Sequence, residues 1–114
     1  MVRFGFDCVF HYVTDMDAAI SFYTSVLGLR LVSRDVVARF DIDGVLFELV
    51  PASGAPAVGT GGARLCLSVD DMSNAIAELR TAGVRVGTAR EVENGLLASF
   101  EDPDGNEIFI WQSR

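Results

Sequence analysis

Few side chains in this sequence have the chemistry to react. His11 is the one histidine, and Cys8 and Cys66 are the two cysteines. Cys8 is a candidate nucleophile, a role that needs a nearby base or cation to lower its pKa. Arg64 would supply the cation. No general base accompanies it, because strand alternation turns His11 to the opposite face from Cys8, where a packed histidine with one hydrogen bond is the plainer role. Glu48 would serve as a general base if desolvated, the alternative being a structural carboxylate. The two cysteines lie 58 residues apart, with no Cys-x-x-Cys and no Cys/His cluster. That spacing excludes a structural zinc site and leaves two reduced, buried thiols as the default.

These residues are positioned by two stretches written on one template. Asp41-Ile42-Asp43-Gly44 runs into Val45–Val50, and Asp102-Pro103-Asp104-Gly105 runs into Asn106–Trp111. Asp side chains bond nearby backbone N–H groups and Gly accepts positive φ, so each is a turn feeding a strand. Aligning the turns places Phe109 opposite Glu48.

The other elements follow the same repeat. Residues 4–13 read as a strand with Cys8, Phe10 and Tyr12 on one face and Val9, His11 and Val13 on the other. Asp15 caps a helix whose stripe is Met16, Ala19, Ile20, Tyr23, Val26 and Leu27, ending at Gly28. Short strands follow at Leu29–Ser33, Val36–Phe40 and Val45–Val50. Residues 51–62, PASGAPAVGTGG, form a connector; its glycines lack the Lys and the following helix of a phosphate-binding loop. The order then restarts with a strand at Ala63–Val69 and a helix capped by Asp70 or Asp71. That helix carries Met72, Ala75, Ile76 and Leu79, and ends at Gly83. Strands at Val84–Val86, Leu96–Phe100 and Ile108–Trp111 complete it. Asp15-Met16-x-x-Ala19-Ile20 returns as Asp71-Met72-x-x-Ala75-Ile76, an offset of 56, and the turns return at an offset of 61. Two βαβββ modules, about 4–50 and 63–113, are expected to pair as one α+β domain over 1–114, since neither buries its sheet alone. The helices then cover one face of a curved mixed sheet. The other face is a cup lined by Cys8, Phe10, Tyr12, Leu46, Glu48, Arg64, Cys66, Phe109 and Trp111, which suits a small-molecule ligand or a dimer seam.

Composition narrows the partners. The chain carries nine Arg, no Lys and sixteen acids, a formal charge of −7. The charge is spread evenly and makes no basic stripe, which disfavours nucleic acid. No apolar run approaches the roughly 20 residues of a membrane span, and no leader is evident, so a cytoplasmic protein is expected.

FYTSVLGLRLV (22–32), DGVLFELV (43–50), SVDDM (68–72) and DPDGNEIFI (102–110) together resemble the glyoxalase/bleomycin-resistance/extradiol-dioxygenase (vicinal oxygen chelate) superfamily. The resemblance implies paired βαβββ modules, and in the enzymes one divalent metal held by four side chains, commonly His, Gln or Glu. Carried over by offset, the four positions are Cys8, Glu48, Arg64 and Phe109. Only Glu48 matches. Arg offers no lone pair and Phe no donor atom, so no metal and no cofactor are expected. Two arrangements stay open: Arg64 in the vacated metal position paired with Glu48, or Arg64 turned to solvent with Glu48 hydrated or bonded locally. The resemblance further implies a homodimer that shares the site, with Cys8 and Glu48 from one chain and Arg64 and Phe109 from the other. The function it points to is metal-free sequestration of an aromatic or cationic compound such as an antibiotic. The alternatives are a divergent glyoxalase-like or dioxygenase-like enzyme and an interaction module whose cup is filled.

Overall fold

In a computed structural model, residues 3, 6–52, 63–92 and 94–114 are described. The glycine-rich part of the connector, 53–62, and the first residues of the expected opening strand, 4 and 5, lie outside them. The chain divides into two compact units, Met1–Val58 and Gly59–Arg114.

Module one begins with β1 (Val9–Val13) and α1 (Met16–Ser21). Asp15 caps α1, its carboxylate accepting from Ala18 N–H at 3.1 Å. The helix then widens into a π-helical turn, Phe22–Val26. Thr24 Oγ1 donates to the Ile20 carbonyl at 2.7 Å, and Leu27 N–H reaches back five residues to Phe22. Gly28, at φ +69°, ends it. Then come β2 (Arg30–Arg34), β3 (Ala38–Ile42) and β4 (Val45–Pro51), in the sheet order β1-β4-β3-β2. Tyr23 from the π-turn is fully buried and packs, with tilted rings, against Phe47 (5.2 Å) and Phe40 (5.9 Å). With Val13, Ala19, Ala38 and Leu49 these rings are the core of the module.

Module two repeats the order with β5 (Leu65–Ser68), α2 (Met72–Thr81), β6 (Arg90–Val92), β7 (Gly95–Glu101) and β8 (Glu107–Ser113). The sheet order is β5-β8-β7-β6. Asp71 is the cap of α2, accepting from Asn74 N–H at 3.1 Å. At the far end Gly83 sits at φ +87°, its N–H bonds the Arg80 carbonyl, and Val84 N–H bonds the Leu79 carbonyl. This paired closure needs a left-handed residue, which Gly supplies without strain. Met72, Ile76 and Leu79 pack with Ala98, Phe100, Ile108 and Ile110. The architecture is α+β: two βαβββ modules, each a four-stranded mixed sheet with a helix.

Two expectations are corrected. Val84–Val86 is not a strand; the strand is Arg90–Val92. Val86 is buried and its carbonyl is taken by Arg80 Nη2 at 3.0 Å, so a helix side chain satisfies what a ladder would. The two turns also differ. The first is a two-residue hairpin, with Asp43 (φ +52°) and Gly44 (φ +86°) between the paired Ile42 and Val45. The second is a five-residue loop between the paired Glu101 and Glu107. Register shows the extra residue: Ala38 faces Leu49 in module one, whereas Ala98 faces Ile110 in module two. Those pairs are offset by 60 on one strand and 61 on the other.

Asp102 organises the longer loop from a buried position, 5% exposed. Its Oδ1 accepts from the N–H groups of Asp104 and Asn106, and its Oδ2 from Asn106 Nδ2 at 2.8 Å. Asp102→Ala leaves these donors without the carboxylate, and is expected to cost about 2–3 kcal/mol in urea unfolding. Asp102→Asn, which keeps one acceptor oxygen, is expected to cost less.

Candidate functional site

The helices define which sheet face is which. His11 Nδ1 lies 3.1 Å from the Tyr23 hydroxyl, and its ring meets Phe47 edge-on at 5.2 Å. His11 is therefore part of the helix-side packing. Alternation turns Cys8, Phe10, Tyr12, Arg39, Leu46 and Glu48 to the other face. In module two Gln112 Oε1 accepts from Met72 N–H at the start of α2. Ile108, Ile110 and Gln112 thus face the helix, and Glu107, Phe109 and Trp111 face away.

On the helix-free face of module one, β1 and β4 run parallel with Phe10 beside Glu48, and β3 brings Arg39 to its other side. Glu48 Oε2 pairs with Arg39 Nε at 3.3 Å, and Oε1 accepts from the Cys8 thiol at 3.7 Å. Arg39 is itself held by Asp35, at 3.0 Å. The Glu48 side chain is 19% exposed and that of Arg39 33%. A pair this wet contributes roughly 0–1 kcal/mol, so its effect is to place the carboxylate rather than to stabilise the fold. Asp35 is held below the ordinary carboxylate range, first by Val37 N–H and then by Arg39. Phe10 and Tyr12 meet edge-to-face at 5.4 Å, and Phe10 is 46% exposed. A large apolar ring left so open is available to a ligand or partner.

On the helix-free face of module two, Cys66 lies beside Phe109 and Ser68 beside Trp111 across the β5–β8 ladder. Ser99 lies on the far side of Phe109, and Leu97 on that of Trp111. Gly95 leaves room for the indole. A Cβ there would come within 2.5 Å and 2.7 Å of Trp111 ring carbons and would collide with the Gln112 carbonyl. Arg64 Nε pairs with Glu107 at 3.1 Å, and its Nη1 donates to the Ala63 carbonyl. A cavity of about 300 Å³ is lined by Gly87, Thr88, Arg90, Leu97, Ala98, Ser99, Glu107 and Phe109. A wider hollow of about 580 Å³ follows the end of α2, but it is bounded by loop 83–87 and by Arg80, already bonded to Val86.

Of the two arrangements open for Glu48 and Arg64, each residue shows a tie inside its own module. Glu48 is bonded locally, to Arg39 and Cys8; Arg64 is bonded to Glu107. Neither Arg39 nor Glu107 was singled out from sequence. Arg39 had a signal: a two-residue Asp43-Gly44 hairpin pairs 42 with 45 and hence 39 with 48. Glu107 had none, because its approach to Arg64 depends on the parallel β5–β8 pairing.

The four positions that the resemblance carries over as metal ligands do not suit a metal here. Phe109 has no donor and Arg64 is a fixed cation. Glu48 would have to leave a guanidinium, which leaves the Cys8 sulfur as the one other donor atom among the four. Among the described residues, no three His, Cys, Asp or Glu are grouped so as to hold a metal ion.

Burial is the first cause of the raised Cys8 pKa, followed by the charge of Glu48 and the influence of Asp7. Partial desolvation raises that of Cys66 as well, but the expectation of two buried thiols is corrected: Cys8 is half-buried and Cys66 is exposed, on the helix-free face of its strand. The thiolate is the reactive form, so a raised pKa means less of it at neutral pH, which argues against nucleophilic use of Cys8. In a Cys66→Ser background, iodoacetamide labelling of Cys8 at pH 7 is expected to be slower than that of free cysteine. Glu48→Gln removes one cause of the shift and should speed labelling by about 2–5-fold. An unchanged rate would dissociate Glu48 from the thiol.

Comparison with known proteins matches this geometry. The sequence profile of the Glyoxalase/Bleomycin resistance protein/Dioxygenase superfamily covers residues 5–110. The chain is 28% identical over 118 residues to a lactoylglutathione lyase of Salmonella typhimurium, covering 90% of this chain and 87% of that protein. TnmS3, an antibiotic binding protein from Streptomyces sp. CB03234, superposes with a TM-score of 0.81 at 27% identity, over 100% of this chain and 99% of its own. A lactoylglutathione lyase from Agrobacterium tumefaciens superposes with a TM-score of 0.78 over 95% of this chain and 92% of its own; at 20% identity that likeness speaks for the fold alone. Repeated βαβββ modules, the matching motifs and a profile match over nearly the whole length make this chain a member of the Glyoxalase/Bleomycin resistance protein/Dioxygenase superfamily.

Proposed function

We propose that this protein is a metal-free small-molecule binder that sequesters an aromatic or cationic compound, such as an antibiotic. The two modules, with the connector 51–62, act as one domain. The observation that carries this reading is the state of Glu48, the one carried-over residue that matches the metal-binding pattern. Glu48 is tied to Arg39 and Cys8, while the other positions offer a thiol of raised pKa, a guanidinium and a benzyl ring. The ligand surfaces are the helix-free faces, with Phe10, Tyr12, Phe109 and Trp111 as stacking groups. Cys8, Leu46, Glu48, Arg64 and Cys66 are the neighbouring contacts. Likeness to an antibiotic binding protein supports the same reading. The second reading, a lyase with a divergent site, is favoured by the likeness to lactoylglutathione lyase.

Protein purified without chelator is expected to carry substoichiometric divalent metal. Added nickel, zinc, manganese or iron(II) should neither raise its melting temperature nor produce lactoylglutathione lyase activity. A planar aromatic ligand at 100 times its Kd should stabilise it by about 2.7 kcal/mol, and Phe10→Ala should weaken that effect. One tightly held metal per chain, with activity, would establish the second reading instead.

No helix among the described residues is long and apolar enough to cross a membrane. For assembly we infer a homodimer in which the site is shared between chains. Each module keeps its own ties, Cys8 and Arg39 with Glu48 and Arg64 with Glu107, so sharing breaks neither set. Sedimentation at micromolar concentration is expected to show a dimer; a stable monomer would refute it.

A further inference from the structure

The helix-free face of module two contains a cavity whose charges do not cancel. Glu107 on its wall is paired with Arg64 at 3.1 Å, so that wall is locally neutral. Arg90 also lines the cavity, and its side chain makes no ion pair or hydrogen bond among the described residues. Ladder register places Arg90 beside Leu97, which lies beside Trp111, and Ser99 beside Phe109. One cation, the hydroxyls of Thr88 and Ser99, and an aromatic floor therefore converge on about 300 Å³.

From this we propose that the module-two cavity is an oxyanion subsite, which takes the carboxylate of a planar aromatic ligand while the ring lies on Phe109. The inference rests on the binding-protein reading and narrows its ligand class. Guanidinium and carboxylate pair as a planar fork, and the two hydroxyls add donors to the same group. The volume stands at the lower end of small-molecule sites, which suits one or two rings. The chain's net charge of −7 does not set the preference here. Screening limits distant charges to about 8–10 Å at physiological ionic strength, so the nearest side chains decide.

Three probes of one shape test it: 2-naphthoate, neutral 2-naphthamide and cationic 2-naphthylmethylammonium. Trp111 is the only tryptophan, so its indole N–H gives a single NMR signal from the same face. Titrating the full-length protein should give a Kd for naphthoate about tenfold or more below that of naphthamide. Arg90→Gln should erase the difference and leave naphthamide binding unchanged, and Arg90→Lys should keep most of it. Arg90 is exposed on a sheet edge, so neither change disturbs packing. Equal binding of the three probes, tighter binding of the cation, or discrimination that survives Arg90→Gln would overturn the subsite and leave the binding-protein reading standing. Failure of all three probes to shift the indole or to raise the melting temperature would count against both.

Discussion

Glu48 stands in mid-strand with Arg39 on the neighbouring strand and Cys8 ahead of the next. That cross-strand contact is the constraint to which the properties of module one return. It exists because Asp43 and Gly44 both adopt positive φ, closing a two-residue hairpin that fixes which residues face each other. A slip of one residue would turn Glu48 towards Tyr23 and Phe40, among buried rings where a carboxylate is costly, and would turn Phe47 out of the core. With the register held, the carboxylate is kept on the helix-free face, raises the pKa of the thiol beside it and is engaged by a cation. Little folding energy is involved. The consequence is chemical, in what the carboxylate is left able to bind.

The second module uses the same frame for a different end. Its first strand and helix keep the offset of 56, so Phe10 beside Glu48 corresponds to Cys66 beside Phe109. One residue more in its hairpin shifts β7 against β8, and the buried Asp102 carboxylate replaces the tight turn. Ser99 then stands where Arg39 stands in module one. The strand position that holds a neutralised acid in one module holds an aromatic ring and a hydroxyl in the other. An arginine that makes no ion pair among the described residues, Arg90, comes from its edge strand instead.

Much of this was legible before any coordinates. Asp15 and Asp71 announced their helices because a carboxylate satisfies N–H groups that nothing else reaches. Alternation in residues 8–13 put His11 among the packed rings and Cys8 on the open face, as found. Three features were not legible. The π-helical turn at Phe22–Val26 keeps the spacing that predicts an ordinary helix. Val84–Val86 is apolar and short, like a strand, but its carbonyl is claimed by an arginine one helical turn or more upstream. The acceptor for Arg64 lies 43 residues away and comes near only through a parallel ladder.

The sequence by itself therefore determined what short-range physics controls: caps, turns, alternation, the duplicated module, and the residue types from which any site must be built. The residue types at the positions that the resemblance carries over, a guanidinium and a benzyl group among them, were likewise legible, since side-chain chemistry needs no coordinates. Tertiary structure alone decided the pairings that no local turn sets. Where strands distant in the chain run parallel, as β5 and β8 do, partners are set by ladder register and strand order, not by neighbours in sequence. Glu48 met Arg39 through a hairpin written in the sequence, whereas Glu107 reached Arg64 only through the folded sheet, and no acid among the described residues faces Arg90 across the sheet.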